Sequence, residues 1–378
     1  MARLGDVCDI LNGFAFKSEQ YVEEGIRIIR IANVQKGYIE DSTPVFYPYN
    51  SREAQKYRLE EGDMLMSLTG NVGRVAELSK EFLPAALNQR VACLRIKDGV
   101  SLSKAFLFNL LDSDYFEQQC IAASKGVAQK NMSTEWLREY EIPLFPLEQQ
   151  KAIASILDKI SELISLRKEQ LAKLDQLVKA RFVEMFGEMK SISEPLKVFL
   201  EDITYGFTNP MPDAEEGPWK VTAKDVINGK INYDTARKTT VEAFEELTAK
   251  SKPAVGDVLL TKDGTLGRCA VVEEDEICVN QSVAVLKCNN KILPKFLAIL
   301  LQMPEYQREM LKNAGGGTIK HIYITKIVDM QIMVPTIPQQ IEFLSFVEQS
   351  EKLKTTIQQS LDKLEVMKKA MMQEYFGQ

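Results

Sequence analysis

A heptad stripe occurs twice in this chain at a constant offset of 190 residues, and that duplication restricts the possible folds more than any other feature. In the first copy, Ile153, Leu157, Ile160, Ile164, Arg167, Leu171, Leu174, Val178, Arg181 and Met185 alternate steps of four and three. Eight of these ten are apolar, and the residues between them are mostly Lys, Glu, Asp, Gln and Ser. This is the pattern of a helix with one buried seam. No Gly or Pro interrupts it before Gly187, and at ~1.5 Å per residue such a helix is roughly 55–60 Å long. The second copy runs from Pro338 to Phe376. Gln149-Gln150 meets Gln339-Gln340, Lys173-Leu174 meets Lys363-Leu364, and Phe186-Gly187 meets Phe376-Gly377. Ser350, Lys354 and Lys368 fall on the second seam, and Phe346, Leu353 and Met367 beside them can shift the stripe. A single stripe also suits a helix packed on its own domain, but the duplication favours two long helices that pair with each other.

The segments before each helix repeat as well. EEGDMLMSLTGNVGRVAEL from Glu60 aligns with AVGDVLLTKDGTLGRCAVV from Ala254, so that Gly70, Gly73 and Arg74 meet Gly264, Gly267 and Arg268. Each reads as strand, glycine-punctuated turn, strand. Glycines three apart let the backbone take positive φ and approach another surface, and the Arg carries a fixed charge. A plain hairpin turn accounts for the pattern equally well. Asn33-Val34 and Gly37 meet Asp225-Val226 and Gly229, in a strand that ends in a turn. Asn88-Gln89 meets Asn280-Gln281 at the entry to another strand. Stretches from Phe106 and Phe296 read as amphipathic helices that exit through Gly126 and Gly315-Gly316-Gly317. The segment LGDVCDILNG from Leu4 reads as a short helix or turn leading to Gly13. Lys130-Asn131-Met132 meets Lys320-His321-Ile322 in the exit loops, where Lys, Gln, Asn and His suit a polyanion or base edges as well as an ordinary loop. EIPLFP at Glu141 and IMVPTIP at Ile332 close each half as a strand into proline.

Composition narrows the class. With 45% hydrophobic and 26% charged residues over 378 positions, the chain has the balance of a soluble protein with two domains. No apolar run approaches the ~18 residues of a membrane span, and MARLGDVCDI lacks a signal-peptide pattern. Six scattered cysteines without a C-x-x-C pair read as small buried hydrophobes in a reducing cytoplasm. Residues 1–145 and 191–335 each carry 17 Lys+Arg against 20 Asp+Glu, so any DNA-binding surface must gather its basic residues on one face. No phosphate-binding glycine loop is present, and TNPMP from Thr208 lacks the adjacent proline and aromatic of an amino-methyltransferase motif. His321 is the sole histidine and no nucleophile elbow accompanies it. The chain reads as non-catalytic.

The L-G-D-V opening, the G-D-x-L…G-x-x-G-R block in both halves and the proline-Gln-Gln entry into two long helices recur in order over nearly the whole chain. In this it resembles the specificity (S) subunit of Type I restriction–modification systems. The resemblance implies an α+β protein of two similar α/β target-recognition domains separated by a long antiparallel two-helix coiled coil, with internal pseudo-two-fold symmetry. The domains fall at 1–145 and 191–335, the conserved helices at 146–190 and 336–378. It implies binding of double-stranded DNA and docking of two modification (M) subunits, which bind S-adenosylmethionine, and of restriction (R) subunits. The chain itself takes no cofactor and no metal. Carried onto matching positions, the DNA-binding candidates are Asn71, Arg74, Gln129, Lys130 and Asn131 in the first half and Thr265, Arg268, Lys320 and His321 in the second. Arg can fork onto guanine and Asn or Gln onto adenine, whereas Lys more often holds phosphate. Unlike domain sequences imply an asymmetric bipartite target, with the coil length setting its spacer. The alternatives are the S subunit of a Type IIB-like system and a coiled-coil protein-interaction scaffold that binds no DNA.

Overall fold

Val91 to Leu94 and Val283 to Leu286 are each four buried residues in a row. Strands apolar on both faces need cover on both, and each takes an inner place in a four-stranded antiparallel sheet. The computed structural model describes residues 1–124, 131–187, 193–316 and 320–377. The chain divides into two units, one of Met1–Glu169 with Ile357–Gln378 and the other of Gln170–Thr356.

In the first unit the sheet order is Cys8–Asn12, Val91–Ile96, Met64–Ser67, Val75–Glu77. In the second it is Leu200–Tyr205, Val283–Cys288, Val258–Thr261, Cys269–Val271. A three-stranded sheet follows in both. Ile26–Ile29 lies between Phe46–Tyr47 and a parallel Ala85–Leu87, and Ala214–Val221 between Arg237–Lys238 and a parallel Ile277–Val279. A two-residue ladder ties the start of each unit to the strand before its proline, Ala2↔Ile142 in one and Glu194↔Ile332 in the other. The duplication read in the sequence is thus a duplication of topology.

Two local readings are corrected. The segment after Leu4 is a helix only over Leu4–Val7; Cys8–Asn12 then forms an edge strand. Its Cys8 and Ile10 are buried while Asp9 and Leu11 are exposed, a period-two signal too short to stand out. The amphipathic stretches from Phe106 and Phe296 are each two helices. Ser113 Oγ accepts from Phe116 N at 3.1 Å and caps a new helix over Asp114–Ala123. In the second unit Pro304, which has no N–H to donate, opens Pro304–Asn313.

The long helices are continuous over Leu147–Phe186 and Ile337–Phe376, 40 residues each. The seam holds: Ile153, Leu157 and Ile160 are buried, the remaining seam positions of the first helix are half-buried, and most residues between them are exposed. The second stripe does not shift. Ser350 is buried and Lys354 half-buried, while Leu353 and Met367 stay 56% and 51% exposed. Lys354 remains on the seam because Asp175 and Glu351 accept from its ammonium at 2.6 and 2.9 Å. Within each unit the helix segments run antiparallel. In the first, Phe145 meets Tyr375 and Lys168 meets Glu365; in the second, Asp175 meets Lys354 and Arg181 meets Glu342.

The repeated Gln-Gln has a structural reason. Gln150 is wholly buried, accepts from Ser103 N at 2.7 Å and donates to the carbonyls of Phe145 and Ser101. Gln340 does the same with Leu293 N, Pro335 O and Lys291 O. One amide therefore satisfies three backbone groups where each long helix leaves its domain.

Candidate nucleic-acid interface

The glycine turn is built identically in both units. Ser67 N donates to Arg74 O, Gly73 N to Ser67 O, and Arg74 N to Ser67 Oγ, at 2.9, 2.9 and 3.1 Å. Thr261 N, Gly267 N and Arg268 N repeat these bonds onto Arg268 O, Thr261 O and Thr261 Oγ1 at 2.9 Å each. Gly70, Gly73, Gly264 and Gly267 have φ of +73°, +84°, +75° and +81°, the left-handed region that only glycine enters without strain.

Three further segments converge on this turn. Thr69 bridges Asn131, and Asp263 bridges His321, so the helix-exit loop and the glycine turn lie side by side. Leu68 N donates to Arg90 O at 3.0 Å and Lys262 N to Ser282 O at 2.9 Å, which adds the Asn-Gln turns. Those turns in turn meet Phe14 and Phe207 through Gln89 N to Phe14 O and Gln281 N to Phe207 O. The approach there is close: a Cβ on Gly13 or Gly206 would lie 2.2 Å from Asn88 O or 1.6 Å from Val279 O.

The sequence candidates do not all face outward. Asn71, Asn131, Thr265 and Lys320 are exposed at this end of their units. Arg74 and Arg268 are half-buried and turn inward. Arg74 Nη1 donates to Gln35 Oε1 at 2.6 Å, and the Asn71 amide, with its oxygen toward the guanidinium, accepts from Nη1 and Nη2 at 3.3 Å. Arg268 Nη1 reaches Val226 O at 3.4 Å. Both arginines brace the turn against the segment that follows the middle strand of the three-stranded sheet. Gln129 and Lys130 lie outside the described residues.

Sequence reading missed other side chains at the same end. Gln89, Arg90, Gln281, Tyr205 and Tyr323 are exposed there, and Lys262 and Asp263 form an ion pair at 2.8 Å. A signal existed: Gly13-Phe14 and Gly206-Phe207 repeat, and the Asn-Gln pairs align, but Gly13 read as the end of a short helix or turn and the Asn-Gln pairs as strand entries rather than as neighbours of the glycine turn.

Among the described residues no helix is long and apolar enough to cross a membrane. The Type I restriction modification DNA specificity domain family matches residues 1–176 and 196–366. The EcoBI specificity subunit of Escherichia coli is 26% identical over 383 residues, spanning 92% of this chain and 78% of that protein. The EcoKI specificity subunit of Escherichia coli strain K12 is 21% identical over 395 residues, spanning 96% and 84%. The S subunit from M. genitalium superposes with a TM-score of 0.54 at 16% identity over 99% of this chain and 95% of its own. A chain from a structure of the assembly and conformational transition of the type I R-M system superposes with a TM-score of 0.63 at 16% identity, over 99% and 96%. With both halves matched, the chain belongs to the Type I restriction–modification DNA specificity family.

Proposed function

We propose that this chain is the non-catalytic DNA-recognition subunit of a Type I restriction–modification complex. It binds double-stranded DNA as an asymmetric bipartite target, residues 1–145 reading one half-site and residues 191–335 the other. It docks two M subunits, which bind S-adenosylmethionine and methylate adenine, and R subunits, which cleave. The observation that carries this reading is the convergence of the same loops at one end of each unit, with unlike exposed side chains on a like backbone. A shared backbone presents each head in the same way, and differing side chains make the two heads read different bases.

The reading is tested with the purified chain, its M partner and duplex DNA in a gel shift at two salt concentrations. A salt-sensitive complex supports it; no complex at either salt favours a protein-interaction scaffold, toward which the 17:20 balance of basic to acidic residues in each domain leans. Methylome sequencing of cells carrying the pair then gives the target. Inserting seven residues into each long helix should lengthen the non-specific spacer, and unchanged methylated sites would refute the spacing role.

A further inference from the structure

The glycine-turn end of the second unit carries a linked set of polar side chains whose counterparts in the first unit differ. His321 Nδ1 is hydrogen-bonded to Asp263 Oδ1. Lys262 Nζ donates to the other carboxylate oxygen at 2.8 Å, and its ammonium lies 5.4 Å from the centre of the Tyr205 ring. The Lys262 side chain is only 9% exposed, so it serves Asp263 rather than solvent. The imidazole meets Tyr323 edge-on with centroids 4.4 Å apart. Its backbone is clamped too: His321 and Gly315 exchange both hydrogen bonds at 2.8 and 3.0 Å, and Ile322 N donates to Lys262 O at 2.9 Å. The ring is a third exposed, and Nε2 has no partner among the described residues.

Resting on the DNA-recognition reading, we propose that His321 determines specificity in the second half-site. It reads one base edge through Nε2, with Asp263 and Lys262 as positioning residues. A carboxylate oxygen only accepts, so the Nδ1 facing it holds a proton in either charge state of the ring. Nε2 is then the variable atom: an acceptor in the neutral imidazole, a donor in the imidazolium. In the major groove an acceptor matches the exocyclic amine of adenine or cytosine, and a donor matches N7 and O6 of guanine, N7 of adenine or O4 of thymine. The groups facing the ring are Asp263 with Lys262 behind it, Tyr323, Lys320 next along the chain, and Tyr205 across Lys262. At one position of the second half-site, preference should therefore move from an amine-bearing base, cytosine above all, toward guanine or thymine as pH falls. The first unit has Leu68, Thr69 and Asn131 at the matching positions. An amide presents its donor and acceptor regardless of pH, so the first half-site should hold constant.

The test measures methylation by the complex of the full chain with its M partner on a DNA library randomised over both half-sites, at about pH 6 and about pH 8. The wild-type complex should change its preference by about tenfold at a single second-half-site position. His321→Asn should abolish that pH response and alter the same position, and His321→Gln gives a second, independent substitution there. Asp263→Asn should broaden the base preference at that position while leaving the rest of the target intact. Identical second half-sites for wild type and both His321 variants overturn the inference, as does a pH response that survives in them. If no methylation depends on the chain at all, the DNA-recognition reading itself fails and takes this one with it. A recognised bipartite target that ignores His321 sinks this one alone.

Discussion

The two units share the backbone and hydroxyl bonds of the glycine turn and differ in most of the side chains around it. Ser67 and Thr261 make the same hydroxyl bonds, and the glycines share the same φ. Around it, Asn12 corresponds to Tyr205, Leu68 to Lys262, Thr69 to Asp263, Arg90 to Ser282 and Asn131 to His321; Leu68, Thr69 and Lys262 are buried, while Asn12, Tyr205, Arg90 and Asn131 are exposed. The turn needs only glycine's freedom and one short hydroxyl, so folding constrains those positions tightly in both copies. The outward positions are held by backbone bonds, which are indifferent to the side chain. At the exposed ones, such as Asn12 with Tyr205, the chemistry can diverge at little cost to the fold, as the proposed pair of reading heads requires.

The strongest way to test that the scaffold is equivalent in both copies is to remove the buried amides. Gln150→Ala and Gln340→Ala each strand three backbone groups and leave a cavity, and each should cost about 2–4 kcal/mol. Hydrogen exchange should show the loss in the first unit for Gln150→Ala and in the second for Gln340→Ala. A large cost at only one of them would break the equivalence.

A buried carboxylate separates the copies next. Asp63 accepts from Arg95 Nε and Nη2 at 2.7 Å each, and also from Glu60 N. Its counterpart Asp257 accepts from Ala254 N and has Lys287 nearby in place of the arginine. Arg95→Ala should destabilise the first unit by about 1–2 kcal/mol, since it leaves a buried carboxylate without its bidentate partner; solvent around the exposed part of Arg95 keeps the figure low. Lys287→Ala should cost less than about 1 kcal/mol. Chemical denaturation of the two variants gives the comparison directly.

What was legible beforehand follows from how far apart the determining residues lie. The seam of Leu147–Phe186 and the turn Ser67–Arg74 are set by residues within a few positions of one another, and both appear as read. Gln150 was visible as a repeated letter, but its purpose depends on Ser101 and Ser103, 49 and 47 residues earlier. The pairing of Asp263 with His321 spans 58 residues and two elements, so no local pattern announces it. The inward turn of Arg74 was equally hidden, because a guanidinium beside two glycines reads as exposed until Gln35 is brought beneath it.

The glycines sharpen the comparison at a smaller scale. Gly70→Ala and Gly264→Ala meet open space or only the distant tip of Ile31, so each should cost about 1 kcal/mol from positive φ alone. Gly73→Ala and Gly267→Ala should differ. A Cβ on Gly73 would lie 2.8 Å from Cys120 Cβ on a packed helix, whereas one on Gly267 meets the end of the Gln307 side chain, which can move by giving up its bonds to Gly267 O and Leu301 O. Thermal melts should rank Gly73→Ala below Gly267→Ala, and the reverse order would mean that the helix over Asp114–Ala123 yields more readily than its packing implies.

The smallest expected effect is the pH dependence of Asp257. Burial raises its carboxyl above the ordinary value, with Lys287 opposing. A group whose folded pKa lies above its unfolded one favours folding in its protonated form, so its contribution is full at low pH and is lost as pH rises through the folded value. At neutral pH Asp257 is thus a slight liability to the second unit. Asp257→Asn keeps an acceptor for Ala254 N and removes the charge, so it should leave the second unit at least as stable near neutrality and flatten its stability between about pH 4 and pH 7. Asp63→Asn does the opposite in the first unit, since an amide cannot accept from both arms of Arg95. Following the two substitutions by denaturation across that pH range separates a carboxylate held by its partner from one tolerated by its neighbours. Equal losses for both would mean that Lys287 holds Asp257 as firmly as Arg95 holds Asp63.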